Sequence, residues 1–172
     1  MASRPIPGFL PRSSALVLAV LAGTACYGFA GGGLPPEIET VAVLPFDNTT
    51  TDPTIAAEVN NAVRQALEQR LGLRQAGEQQ ADAVVTGRVS RYEPDLPVSF
   101  QGTPNNQVDV TQRLVQMVVD VSIMNRVTGR PIWEQRGIRV EGNYATGRER
   151  EGRLLALEKL QTTIIEGAQS QW

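Results

Sequence analysis

From Gln112 to Asn125 the chain alternates. Val115, Met117, Val119, Val121 and Ile123 fall on one side of an extended backbone, and Gln116, Asp120 and Ser122 fall on the other. A period of two sustained this long describes a strand with one face against a core and the other toward water. It commits the chain to a sheet whose apolar side another layer must cover.

The flanking sequence supplies partners for that strand. Asp82 to Tyr92 alternates too, with Ala83, Val85, Gly87 and Val89 opposite Asp82, Thr86, Arg88 and Ser90. Glu93-Pro94-Asp95-Leu96-Pro97 is expected to break this strand, leaving an irregular loop through Asn106. Asn125-Arg126-Val127-Thr128-Gly129 reads as a hairpin connection, and Ile132 to Val140 returns beside the long strand, with Gly137 placed for a bulge. Upstream, Glu39 to Phe46 is β-branched and almost continuously apolar, as in a strand buried on both faces, with Pro45 marking its end. Asp47 to Asp52 has turn chemistry.

Two helices provide the cover. Asp52-Pro53 is a helix start, and Ile55, Val59, Ala62, Val63, Ala66, Leu67 and Leu71 then form one stripe that stops at Gly72. Gly147 to Gln169 carries Leu157, Leu160, Ile164 and Ala168 on a second stripe, with Leu154 adjoining. The expected architecture is α+β, a two-layer sandwich with both helices on one face of a four-stranded mixed sheet, in the order β-α-β-β-β-α. The uncovered face would bear Arg88, Gln116, Asp120 and Ser122.

The N-terminal segment has another purpose. Arg4 and Arg12 precede the apolar run Ala15–Ala22, small residues follow, and Cys26 comes directly after Ala25. Eight apolar residues are too few for a bilayer span, which needs about 20. They suit the core of a cleaved export signal. A thiol immediately beyond such a signal can accept diacylglycerol. Residues 1–25 therefore read as a lipoprotein signal peptide and 26–36, with three consecutive glycines and two prolines, as a lipidated tether. Residues 37–172 are left for the folded domain. Gly23 stands where bacterial lipoboxes usually carry leucine.

Composition narrows the chemistry. The chain has no histidine and one cysteine. Histidine-dependent nucleophiles, histidine metal sites and internal disulfides are thereby unavailable. The carboxylates, among them Asp47, Asp120 and Glu134, form no acid–base pair that spacing reveals, so no catalytic and no metal-binding residue is assigned. A net charge of -2 and a pI near 5.2 argue against a nucleic-acid partner. Fifteen of the 16 basic residues are arginine. Guanidinium is suited to phosphate and carboxylate, but on a strand face it is usually just solvated.

The stretch from Cys26 through Leu34-Pro35 to Val41-Ala42-Val43-Leu44-Pro45-Phe46-Asp47-Asn48 resembles the start of the lipopolysaccharide-assembly lipoproteins, the LptE-like family. Ala81-Asp82-Ala83-Val84-Val85-Thr86-Gly87-Arg88-Val89, the strand ending at Asn125 and the hairpin through Trp133-Glu134 continue the likeness. The resemblance implies a non-enzymatic outer-membrane lipoprotein on the periplasmic side. It would plug a β-barrel lipopolysaccharide-assembly partner (LptD-like) and contact lipopolysaccharide. It implies no cofactor other than the diacylglycerol and N-acyl chains on Cys26. The family's lipid-contacting residues do not align by motif, so Arg88, Arg136 and Arg139 are candidates by position only. The strand Val41–Asn48 is also similar to that of curli-secretion subunits and activators of peptidoglycan synthases, which would make the chain a pore subunit or an enzyme regulator.

Overall fold

The computed structural model of the protein describes residues 34–102 and 108–170. Cys26, the signal segment 1–25 and most of the tether 26–36 lie outside the described residues.

Eight elements follow one another: β1 (Thr40–Val43), β2 (Asp47–Asn48), α1 (Ile55–Leu71), β3 (Arg74–Gln75), β4 (Ala83–Gly102), β5 (Val108–Asn125), β6 (Pro131–Ala145) and α2 (Glu149–Gln169). The fold is α+β with a mixed sheet, as the periodicities require, but the sheet has six strands rather than four. Its path is β3-β1-β4-β5-β6, with β2 pairing with β4 off that path. The observed order is therefore β-β-α-β-β-β-β-α. The two additional strands have two residues each, too few to carry a period. β2 occupies part of the stretch read as a turn, because past Pro45 the chain stays extended and runs parallel to Arg88–Val89.

β1 lies parallel to β4 and is joined to it through α1, whereas β4, β5 and β6 are antiparallel neighbours. One carboxylate fixes the parallel start. Asp82 Oδ2 accepts hydrogen bonds from the backbone amides of Glu39 (3.1 Å) and Thr40 (2.9 Å) and from Thr40 Oγ1 (2.7 Å). The Thr40 hydroxyl, then the two amides, hold this carboxyl below the ordinary aspartate range.

β4 continues through Glu93–Pro97, which the sequence had suggested as a break. β1 and β2 pair with β4 only as far as Val89, and from there one side of β4 is an edge. A proline on an edge removes no ladder hydrogen bond. Register shifts near Ser90, Pro94 and Val98 absorb the irregularity. The first shift has a structural effect, since an extra residue at Ser90 reverses the alternation and turns Tyr92 inward, where it is buried. Gly137 does sit at a bulge, with φ +66°; two residues of β6 oppose Asp120, whose Oδ1 accepts from the Gly137 amide at 2.7 Å.

The core lies between the sheet and the two helices. Val85, Val89, Val115, Met117, Val119, Ile55, Val59, Val63, Leu67, Leu160 and Ile164 are fully buried. α1 starts at Ile55, two residues later than Asp52-Pro53 suggested, because Asp52 Oδ1 accepts from Thr54 N (2.8 Å) and Thr54 Oγ1 (2.7 Å) and forms a turn ahead of it. It ends with Gly72 at φ +68°. Leu154 does not join the core and is 56% exposed. α2 lies against β6 so closely that a methyl group on Gly142 would overlap the Gly152 carbonyl oxygen, and one on Gly167 would come within 2.6 Å of the Trp133 indole.

The ladders also define two ends. Thr40, Arg74, Ala83 and Asn125 gather at one end. At the other, β6 stops opposite Gln112, and β4 and β5 continue as a two-stranded arm to Gly102 and Val108.

Candidate functional site

The uncovered face of the sheet is built by alternation. On β5 the side chains of Gln116, Asp120 and Ser122 face away from the helices, and on β4 Thr86, Arg88 and Ser90 do the same. Ladder register sets Arg88 directly opposite Asp120, and the β6 bulge brings Arg136 beside the same aspartate. The result is a shallow concavity of about 410 Å³ containing Arg88, Arg136, Asp47, Asp120, Glu134 and Ser122.

Two of the three candidate arginines thus meet in one place. Arg139 does not join them. It lines a separate groove of about 690 Å³ between β6 and α2, together with Leu155 and Lys159.

Neither arginine in the concavity is a bare cation. Arg88 Nη2 pairs with Asp47 Oδ2 at 3.3 Å, and Arg136 Nη2 pairs with Glu134 Oε1 at 2.9 Å. The Arg88 and Asp47 side chains are 54% and 69% exposed. Water screens such pairs to a net worth of about 0–1 kcal/mol, so an incoming anion can exchange with the carboxylate at small cost. The concavity offers paired guanidinium and carboxylate groups with hydroxyls beside them, which suits phosphate and sugar hydroxyls. Asp47 was the member that sequence reading missed, because it lies in the segment read as a turn and only the β2–β4 pairing puts it beside Arg88.

A second polar cluster fixes the base of the arm. Asp95 pairs with Arg113, and Tyr144 Oη donates toward the Pro94 carbonyl (2.7 Å) and Asp95 Oδ1 (3.0 Å). Arg113 first, and then the Tyr144 hydroxyl, hold the Asp95 carboxyl low. Burial, followed by the bond to Asp95, pushes the Tyr144 phenol up to about 12. The tyrosine therefore remains a neutral donor throughout the physiological range and acts as a structural tie. Among the described residues no group of three potential metal ligands converges, and no helix is long and apolar enough to cross a membrane.

The model of the LptE family, described as lipopolysaccharide-assembly, matches residues 38–169. The chain belongs to the LptE lipopolysaccharide-assembly family. The match starts at Ile38, just ahead of β1, and ends at the last residue of α2, so it takes in all of the elements above. No curated protein matches the chain in sequence. Among solved structures, protein XCC0632 from Xanthomonas campestris aligns with a TM-score of 0.53 at 9% identity, over 80% of this chain and 87% of that one. Rare lipoprotein B from Shewanella oneidensis aligns with a TM-score of 0.43 at 17% identity, over 75% and 94%. Lipoprotein GNA1162 from Neisseria meningitidis gives 0.44 at 11% identity, over 74% and 96%. The likeness to the Xanthomonas protein is one of fold alone.

Proposed function

We propose that this LptE-family chain is an outer-membrane lipoprotein, acylated on Cys26, that seats in a β-barrel partner and assists delivery of lipopolysaccharide to the cell surface. The family match over residues 38–169 carries this reading. The domain's architecture supports it. One face of the sheet is closed by helices, while the other is a charged, half-exposed surface of the kind that can line up with a water-filled barrel lumen.

The tether limits how far the body can stand from an anchored Cys26. Leu34 is eight positions beyond Cys26, so an anchored cysteine keeps Leu34 within about 28 Å of the lipid surface. Arg88 and Arg136 are the proposed lipopolysaccharide contacts, reaching phosphates through the guanidinium groups that Asp47 and Glu134 now hold. Arg139, in the separate groove, is not part of that contact.

The deciding experiment is depletion of the protein followed by an assay of surface lipopolysaccharide, with affinity purification of the tagged full chain from native membranes. The expected result is loss of surface lipopolysaccharide and copurification of a large β-barrel protein. Normal surface lipopolysaccharide after depletion, with no barrel copurifying, overturns the proposal. Mass spectrometry of the mature N-terminus reads the acyl chains on Cys26 separately.

A further inference from the structure

α2 runs across β6 in the opposite direction, and two glycines mark its course. Gly152 lies against Gly142, and Gly167 lies against the Trp133 indole, each with no room for a methyl group. Ascending the helix therefore means descending the strand, toward its first residues. Ser170 N still donates to the Glu166 carbonyl at 2.9 Å, so the helical direction holds as far as Ser170.

Gln171 and Trp172 come next in the chain. A helical residue advances about 1.5 Å and a strand residue about 3.3 Å. Position 172, five beyond Gly167, thus falls about two strand residues past Trp133, level with Pro131. Even a fully extended chain adds only about 7 Å after Ser170, which keeps position 172 within reach of this part of β6.

A hollow of about 220 Å³ lies at that level, lined by Pro131, Ile132, Trp133 and Glu134. Small-molecule sites usually have about 300–1,000 Å³, so this one has the scale of a single side chain. Ile132 and Trp133 are buried, and Pro131 is an exposed apolar wall. The Glu134 carboxylate adds an acceptor, and so does the backbone of β6, the last strand of the sheet path. This combination suits an indole, which has a wide apolar body and a single N–H that donates. Gln171 has no such body.

We propose that Trp172 docks in this hollow against Pro131 and Trp133. Docked there, it straps the end of α2 to the first residues of β6 and covers that part of the sheet's edge. The occupant is a segment of the chain itself, so the proposal does not depend on the lipopolysaccharide reading.

The test is NMR of the full mature chain in detergent, where only two indole signals, those of Trp133 and Trp172, have to be assigned. Trp172 ring protons are expected to show nuclear Overhauser contacts with Pro131 and Ile132. The Trp172 indole N–H should exchange with solvent at least fivefold more slowly than in a free Gln-Ser-Gln-Trp peptide. Pro131→Ser, an exposed substitution that leaves the core intact, should bring that exchange to within twofold of the peptide. Absence of the contacts, or protection below fivefold in the wild type, overturns the proposal. Protection that survives Pro131→Ser undiminished rejects the hollow as the seat. Trp172 contacts with detergent chains alone assign the side chain to a lipid surface and overturn it too. So do contacts that appear only between differently labelled chains in a mixed sample, which assign the hollow to a second copy.

Discussion

The two faces of the central sheet are made from the same strands, yet they follow opposite rules. On the helix-covered face Val85, Val115, Met117 and Val119 have no exposed surface, and α2 lies so near β6 that Gly142, Gly152 and Gly167 have no room for a methyl group. On the open face Arg88, Asp47, Arg136 and Glu134 form pairs whose side chains are 40–83% exposed. Close packing makes the first face sensitive to a single carbon, while solvent screening makes the second indifferent to a whole side chain. Stability resides on one face, and the other can exchange side chains at little cost to the fold.

The hardest test of that contrast is Gly142→Ala. The added carbon overlaps the Gly152 carbonyl oxygen and approaches Ala156 N to 2.8 Å, and both are backbone atoms that no rotamer change can move. The expected loss is about 3 kcal/mol or more in urea unfolding, the upper range for overpacking. A loss under about 1 kcal/mol would mean that α2 is seated loosely on β6, and the contrast would fail. Gly167→Ala is expected to cost less, about 2 kcal/mol, because the obstacle is the Trp133 side chain. Trp133→Phe should recover part of this loss in the double variant but should not help Gly142→Ala.

Asp82 stands between the two extremes, partly exposed but with three hydrogen bonds to one oxygen. Asp82→Asn is expected to cost about 1–2 kcal/mol at neutral pH, since hydrogen bonds to a charged acceptor are worth more than neutral ones. The pH sign follows from the lowered folded pKa. The carboxylate's contribution is complete above its unfolded value of about 4 and disappears as pH falls through the lower folded value. Urea midpoints of the wild type and Asp82→Asn should therefore converge on acidification below about pH 4. A constant gap down to pH 2 would show that shape, not charge, holds β1 against β4.

Much of the covered face could be read from the chain because burial imposes a period. The stripe from Ile55 to Leu67 and the alternation from Val115 to Ile123 are the buried sets observed. What escaped depends on pairing across distance. Nothing local in Asp47-Asn48 or Arg74-Gln75 marks a strand, and each is extended only because a neighbour is there to pair with. Pro94 and Pro97 suggested a break because proline ends central strands, and the loss of neighbours beyond Val89 could not be seen from the sequence. The candidate site fared similarly. Arg88 and Arg136 lie 48 positions apart in the chain and meet only through the registers of β4 with β5 and β5 with β6, while Arg139, three residues from Arg136, lines a different groove.

The smallest effect on stability is expected from the open face itself. Arg88→Ala and Arg136→Ala each remove one exposed ion pair, and each should change unfolding free energy by no more than about 0.5 kcal/mol. Their value lies in a second measurement on the same proteins. If the concavity contacts lipopolysaccharide through these guanidinium groups, the double variant should associate with it at least tenfold more weakly at low salt, with the difference shrinking as salt rises. Arg139→Ala should bind like the wild type, because it lies outside the concavity. Equal loss in all three variants would point to diffuse attraction by any surface arginine and remove the concavity from consideration. A large loss of stability in the double variant would break the contrast from the other side, since it would make the open face part of what holds the domain together.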